Sequence, residues 1–186
     1  MVGGRRGQSV SGAAVRVRPA TPADVEQIHA FIVELALYER AGDHVTGTVP
    51  LLAEALFGAT PSAEALLAET DGVPRGFALF HGTFSTWTCL PGIWLEDLYV
   101  PERHRRLGAG GALLAAVARI AVARGCGRLE WHALDWNDLA LGFYRGLGAQ
   151  RLSEWELHRL TGDALDRVAA GRGEAPPGRG FPVAGL

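Results

Sequence analysis

The sequence predicts an α/β fold with a mixed central sheet and helices on both faces. Its 186 residues suit one domain of ordinary size, and 48% hydrophobic with 20% charged residues is a globular balance. Periodicity gives the element order β-α-α-β-β-β-α-β-α-β, in which a hairpin block precedes a βαβ crossover. We find no internal repeat and no linker. The expected organisation is a flexible leader over 1–14, one domain over 15–170, and a flexible Gly/Pro-rich tail over 171–186.

Hydrophobic alternation and apolar stripes of helical period define the elements in turn. The first helix is expected to begin at Thr21-Pro22, because Thr is a favoured N-cap and Pro is tolerated in the first turn. The strand over 93–100, the long helix after it and the strand over 128–134 form the crossover, so those two strands should be parallel. Strands are predicted at 15–18, 65–69, 76–84, 93–100, 128–134 and 150–160; helices at 21–40, from 48, at 110–124, at 137–146 and after 161.

Composition excludes several classes of function. All eighteen basic residues are arginine, which excludes a Schiff-base lysine and a Walker-type phosphate loop. The net charge of -2 gives no basic footprint for nucleic acid. Two cysteines and six histidines without ligand spacing predict no metal site and no disulfide scaffold. Since no apolar run approaches the roughly 20 residues that span a bilayer, no membrane partner is expected either.

The junction between the fourth strand and the long helix carries the strongest signal. It reads Arg105-Arg106-Leu107-Gly108-Ala109-Gly110-Gly111, and only residues 101–104 separate it from the strand over 93–100. Glycines let a ligand approach the backbone closely, and the N–H groups of a first helical turn favour an anion. Together with Arg103, the pattern predicts a phosphate or pyrophosphate site. The alternative is a glycine-rich helix entry with solvated arginines.

Several blocks resemble the GNAT N-acetyltransferase superfamily. The Arg-x-x-Gly-x-Gly of 105–110 after Leu95-Glu96-Asp97-Leu98-Tyr99-Val100 is similar to its acetyl-CoA loop, and Asp135-Trp136-Asn137 with Phe143-Tyr144-Arg145-Gly146-Leu147-Gly148-Ala149 is similar to its next block. Val17-Arg18-Pro19-Ala20-Thr21, Glu34-Leu35-Ala36-Leu37-Tyr38-Glu39 and Trp155 further resemble the diamine (spermidine/spermine) and thialysine N-acetyltransferase branch. The likeness runs over about 15–170.

That resemblance implies acetyl-CoA as co-substrate and direct acetyl transfer to an amine. It places Tyr144 beside the coenzyme sulfur, as the acid that protonates the leaving thiolate. The residues expected at the coenzyme are Leu98, Val100, Arg105, Arg106, Leu107, Gly108, Ala109, Gly110, Gly111, Asn137 and Tyr144. It also implies a cytoplasmic homodimer.

Two adjacent acids interrupt the otherwise apolar fourth strand. On a regular strand Glu96 and Asp97 would point to opposite faces, but the resemblance implies a bulge there that turns both toward one cleft. We assign Glu96 as the base, acting through a water molecule, and Asp97 as an anchor for the substrate amine. The alternative is a solvent-facing pair at a sheet edge. Trp94, just before them, is expected to be a core side chain.

The acids predict a small cationic acceptor. By resemblance Tyr38, Glu39, Glu96 and Trp155 fall on polyamine-site positions, with Asp97 beside them. The segment over 84–89 lacks an acid that diamine acetyltransferases are expected to carry, which favours a short diamine, a lysine-like amino acid or another small primary amine over a long polyamine. An aminoglycoside or protein N-terminus as acceptor, and a non-catalytic acyl-CoA sensor, stay open.

Overall fold

The computed structural model of the protein describes residues 14–171. The leader over 1–14 and the tail over 171–186 therefore lie, but for residues 14 and 171, outside the described range. The described chain forms two compact units, one that ends at Leu134 and one that begins at Asp135. Each is described by itself below.

The first unit is built on a five-stranded sheet in the order β1-β2-β3-β4-β5. All neighbours are antiparallel except β4 and β5, which are parallel, so the predicted crossover is confirmed. A two-residue turn with φ of 53° at Asp71 and 73° at Gly72 joins β2 to β3, which is the backbone that tight hairpins require. The strands are β1 Arg16–Pro19, β2 Glu64–Thr70, β3 Val73–Ser85, β4 Leu90–Tyr99 and β5 Arg128–Trp131.

Helices cover both faces of this sheet, as predicted. They are α1 Val25–Tyr38, preceded by a 3₁₀ turn at Pro22–Asp24, α2 Val49–Phe57 and α3 Ala109–Ala123. On the α1 and α2 face, Ile28 and Phe31 pack on Phe77 and Tyr99, and the rings of Phe31 and Phe77 stack at 6.0 Å. The fully buried Leu113 and Val117 lie on α3, which packs against β2, β3 and β4. No helix within residues 14–171 combines the length and apolarity that crossing a membrane demands.

The second unit contains two helices, α4 Asp138–Gly146 and α5 Gly162–Ala169. The strand predicted over 150–160 is not formed in the described chain, and β5 ends at Trp131 rather than at residue 134. The segment carries the apolar side chains Leu152, Trp155 and Leu157, but a strand persists only where its N–H and C=O groups pair with a neighbour. The described ladders contain no partner for this segment, and these side chains are exposed.

An ionic network fastens the start of the fold. The Arg18 guanidinium donates to both carboxylate oxygens of Asp24, at 2.7 and 2.8 Å, and through Nε to Glu69 at 2.7 Å. The backbone N–H and the hydroxyl of Thr21 donate to the same buried Asp24 at 2.8 and 2.7 Å. Hydrogen bonds from Arg18, together with those from Thr21, hold the pKa of Asp24 far below its usual range. The network ties β1, the entry to α1 and β2 together.

Replacing Asp24 by Asn should lower the free energy of unfolding at pH 7 by about 1–2 kcal/mol, because charged hydrogen bonds are lost. Since the folded-state pKa is lowered, the stabilisation is present above the unfolded-state pKa near ~4 and lost as the pH falls below it. Urea unfolding at pH 7 and pH 3 measures both. Asp43→Asn, on an exposed turn, is the matched control. A deficit of Asp24→Asn that is as large at pH 3 as at pH 7 would contradict the ionic origin.

Candidate functional site

One extra residue in β4 shapes the candidate site. Phe80 of β3 pairs with Leu95 and the preceding Leu79 pairs with Asp97, so Glu96 has no opposite residue and forms a bulge. Opposite residues share a face of the sheet, and Leu79 packs in the core under α1. Asp97 therefore faces α1, whereas Leu95 faces α3. The bulge implied by the resemblance is present at this point.

Glu96 lies on the α1 face as well, held by aromatic neighbours. The indole Nε1–H of Trp94 donates to its Oε2 at 2.9 Å, and Nε2 of His81 lies 3.9 Å from the same oxygen. His132 packs edge-on against the Trp94 ring, with centroids 4.5 Å apart. Trp94 is therefore not the core side chain expected from the sequence, since it is only half-buried and orients an acid. One carboxylate oxygen of Glu96 is engaged, and the side chain stays exposed.

Among the acids on the α1 face, the carboxyl of Asp97 has a strongly raised pKa. Burial, together with the negative charges of Glu96 and Glu39, raises its pKa to about 6. Glu39 follows the last residue of α1, and burial raises the pKa of its carboxyl too. Three acids thus converge where α1 ends over the β4 bulge. A positive charge brought to this place would relieve both the repulsion and the burial of negative charge.

The loop between β4 and α3 has the geometry of an anion site. Arg106 and Gly108 adopt positive φ of 67° and 82°, which turns the chain into the helix. The structure gives the backbone N–H groups of residues 106–111 no partner within the described chain, and the space beside Gly108 and Gly111 is open. Free N–H groups at the start of a 15-residue helix, with the exposed Arg106 beside them, fit a phosphate or pyrophosphate.

Of the three arginines at this junction, two have other partners. Arg103 donates to both oxygens of Glu34 at 3.0 Å. Arg105 donates through Nε to the carbonyl of Val100 at 3.0 Å, and its guanidinium carbon lies 4.8 Å from the centre of the Tyr38 ring. Of the three, Arg106 alone has a side chain that is exposed and has no partner within residues 14–171, so the loop offers more backbone N–H groups than side-chain cations to an anion.

β4 and β5 separate beyond the bulge. Their parallel ladder runs from Gly92 with Arg128 to Leu95 with Trp131, and no described pair follows. The backbone of β4 from Glu96 onward therefore has no β5 partner along that edge. Leu98 lies in this part of β4 and Val100 directly follows the strand. The family resemblance assigns the backbone groups of both residues to the coenzyme.

The second unit contains the remaining predicted residues. Asn137 is the N-cap of α4, and its side-chain oxygen accepts from the Ala140 N–H at 3.2 Å. Tyr144 lies on α4, with its ring centre 5.3 Å from that of Phe143. Trp155 lies in the segment after α4 that has neither helix nor strand. The Asn137 oxygen is thus engaged in capping α4.

A family model described as "Acetyltransferase (GNAT) family" matches residues 28–149. The chain belongs to this family. It is accordingly an N-acetyltransferase of the acyltransferase class, and the predicted fold class is confirmed.

Relatives support the same branch. The chain is 36% identical to a thialysine N-epsilon-acetyltransferase from Bos taurus over 84% of this chain and 98% of that protein. It is 33% identical to an L-ornithine N5-acetyltransferase from Arabidopsis thaliana, over 82% of this chain and 87% of that protein. Among solved structures, an integron cassette protein from V. cholerae superposes with a TM-score of 0.71 at 26% identity, covering 85% of this chain and 99% of that chain.

Sequence reasoning missed two side chains at the acids. Trp94 and His81 sit directly opposite each other on β4 and β3, and both approach Glu96. The available signal was the spacing of Trp94, two residues before Glu96, which puts both side chains on one face of a strand. That signal was ambiguous because the bulge changes the face of every later residue of β4. His81 gave no signal, since its register with β4 is set by the whole hairpin.

Asp97→Asn should make the protein more stable at pH 7 by about 2 kcal/mol, because a buried charge is removed. The folded-state pKa near 6 lies above the unfolded-state value, so wild-type stability falls as the pH rises from about 4 to about 6. The gain of the variant should therefore disappear at pH 4. Urea unfolding at the two pH values measures it, and Asp71→Asn, at the exposed hairpin turn, controls for the loss of one charge. A variant less stable than the wild type at pH 7 would contradict the argument.

Proposed function

We propose that the protein transfers the acetyl group of acetyl-CoA directly to a primary amine of a small cationic acceptor: a diamine, a polyamine or a lysine-like amino acid. The observation that carries the proposal is the β4 bulge, which turns Glu96 and Asp97 to one face, where Glu39 adds a third carboxyl. Such a group of acids favours a protonated amine. A GNAT acetyltransferase that brings these three acids together would select cationic acceptors.

The acids divide between binding and proton transfer. Attack requires a neutral amine, so a base must take a proton from the bound ammonium. Trp94 holds Oε2 of Glu96, which leaves Oε1 to accept that proton through a water molecule. Asp97, whose pKa is near 6, is ionised at neutral pH and pairs with the ammonium. Glu39 and Tyr38 at the end of α1 would contact the rest of the acceptor. Family resemblance alone adds Trp155 to the acceptor contacts.

Most of the proposed contacts to the coenzyme come from backbone groups. Acetyl-CoA supplies the acetyl thioester, and the N–H groups of residues 106–111 with the Arg106 side chain would bind its pyrophosphate. The backbone of Leu98, in the part of β4 without a β5 partner, and of Val100, directly after the strand, would bind the pantetheine arm. By family resemblance, Asn137 would help to orient the coenzyme, and the Tyr144 hydroxyl would protonate the leaving thiolate.

A lysine-like amino acid or a short diamine is the acceptor we favour. Thialysine and ornithine, for which two relatives are named, are both amino acids with a side-chain amine. The segment over 84–89 contains no acid, so a long polyamine would lack a contact at that end. On family resemblance alone, we further propose a cytoplasmic homodimer.

Acetyl-CoA turnover, read as free thiol, tests the proposal against a panel of acceptors. Ornithine, thialysine, lysine and short diamines should support turnover, with kcat/KM at least about tenfold above spermine or an aminoglycoside, a difference of about 1.4 kcal/mol. Preference for an aminoglycoside or for a peptide N-terminus would overturn the acceptor assignment. Tight CoA binding without turnover on any amine would indicate a sensor instead.

Glu96→Gln should lower kcat by about 100-fold, the usual contribution of a general base, and flatten the rise of the rate with pH.

Tyr144→Phe should lower kcat while the Kd for acetyl-CoA changes little, because only the hydroxyl is removed. Both are measured as pH profiles of kcat and by calorimetric titration with CoA. Glu26→Gln, on the exposed side of α1, is the matched control for the loss of an acid. An unaltered pH profile in Glu96→Gln would exclude it as the base.

A further inference from the structure

Helix α1 contacts the chain after β4 at two successive turns. Glu34 and Tyr38 are four residues apart on α1 and so lie on one face of the helix. Glu34 accepts from both terminal nitrogens of Arg103 at 3.0 Å and from the Tyr99 hydroxyl at 3.4 Å. One turn later the Tyr38 ring lies under the Arg105 guanidinium. The contacts fasten the end of α1, which presents Glu39, to the segment that leads into the anion-binding loop.

Arg105 makes two different contacts at once. Its Nε–H donates to the carbonyl of Val100 at 3.0 Å, so the side chain folds back on the end of β4. Its guanidinium face covers Tyr38 with 4.8 Å between the central carbon and the ring centre, which is cation–π geometry. Arg105 is half-buried by these contacts, whereas the next residue, Arg106, is exposed. Neighbouring arginines of one loop thus have different surroundings.

We propose that Arg105 is a positioning residue, which holds Tyr38 and the end of α1 against β4 and thereby couples the acceptor side of the site to the coenzyme loop. The proposal rests on the proposed function, since it takes Tyr38 and Glu39 as acceptor contacts and residues 106–111 as the coenzyme loop. The competing assignment is that Arg105 is a phosphate ligand like Arg106. The two assignments differ in which substrate is affected when Arg105 is changed.

The test is a double-mutant cycle of Tyr38→Leu and Arg105→Gln in the full-length chain. Each single variant should raise the KM for the amine by about fivefold, an effect in the range of one cation–π contact. The double variant should be no worse than the more affected single variant, because both remove the same contact. In a Tyr38→Phe background, which keeps the aromatic ring, Arg105→Gln should have its full effect. In all of these variants the Kd for CoA should stay within about threefold of the wild-type value.

Arg106→Gln is the matched control, since it removes the same charge from the adjacent position. It should show the opposite pattern, with the Kd for CoA raised about tenfold and the amine KM unchanged. A tenfold loss of CoA affinity in Arg105→Gln, with effects that multiply in the double variant, would overturn the proposal and make Arg105 a phosphate ligand.

A second readout separates this inference from the proposed function. The midpoint of urea unfolding is measured for the same four proteins of the Tyr38 and Arg105 cycle, which needs no substrate. Non-additive midpoints support the contact even if the wild type acetylates no amine, in which case the proposed function alone fails. Additive midpoints, or multiplying KM effects in an active enzyme, would overturn the coupling while the acetyltransferase activity stands.

Discussion

The extra residue in β4 is the constraint on which the rest of the site depends. With a regular strand, Glu96 and Asp97 would face opposite sides of the sheet, and one of them would enter the core under α3. The bulge instead lets Ile93 and Leu95 fill that core while both acids face α1. It also lies where β4 loses its pairing with β5. The one extra residue therefore marks a boundary in β4. The residues before it pack in the core under α3, and the residues from Glu96 onward form part of the candidate site.

The acids gathered by the bulge carry an electrostatic penalty in the folded state. Asp97 has its pKa raised to about 6 by burial and by the charges of Glu96 and Glu39, so its carboxylate is less stable in the folded protein than in the unfolded chain. Acids kept in such surroundings serve chemistry more often than stability. The Asp24 network illustrates the contrast, because there a buried acid is paired with the Arg18 guanidinium and the result is structural. At Asp97 the described structure has no such cation within reach, and an amine substrate is the ion that would take that place.

Sequence patterns predicted most of the fold because its elements follow local rules. Alternation, Thr N-caps and the glycine loop located five strands and five helices to within a few residues. The prediction of a strand over 150–160 was wrong. A pattern of apolar residues indicates which side chains could be buried, but a strand also needs a neighbouring strand to pair with, and no local pattern reveals that neighbour. In the site, residue type and sequence position were enough to identify Glu96, Asp97 and the glycine-rich loop as candidates. The surroundings of Glu96 were not, because the contacts of Trp94 and His81 depend on strand register and on the bulge, both of which are set by pairing across the sheet.

The arginine-only composition gains a physical meaning at the junction after β4. Three arginines stand within four residues there, yet their environments differ: Arg103 forms a two-pronged ion pair, Arg105 bonds a carbonyl and covers a ring, and Arg106 is exposed at a positive φ. A guanidinium can donate from its edge and stack through its face at the same time, which a lysine ammonium cannot do. Substituting lysine at position 105 would thus keep the charge but give up one of the two contacts. Positive charge near a phosphate loop is for this reason a poor guide to which side chain meets the phosphate; the partner that already occupies each side chain decides it.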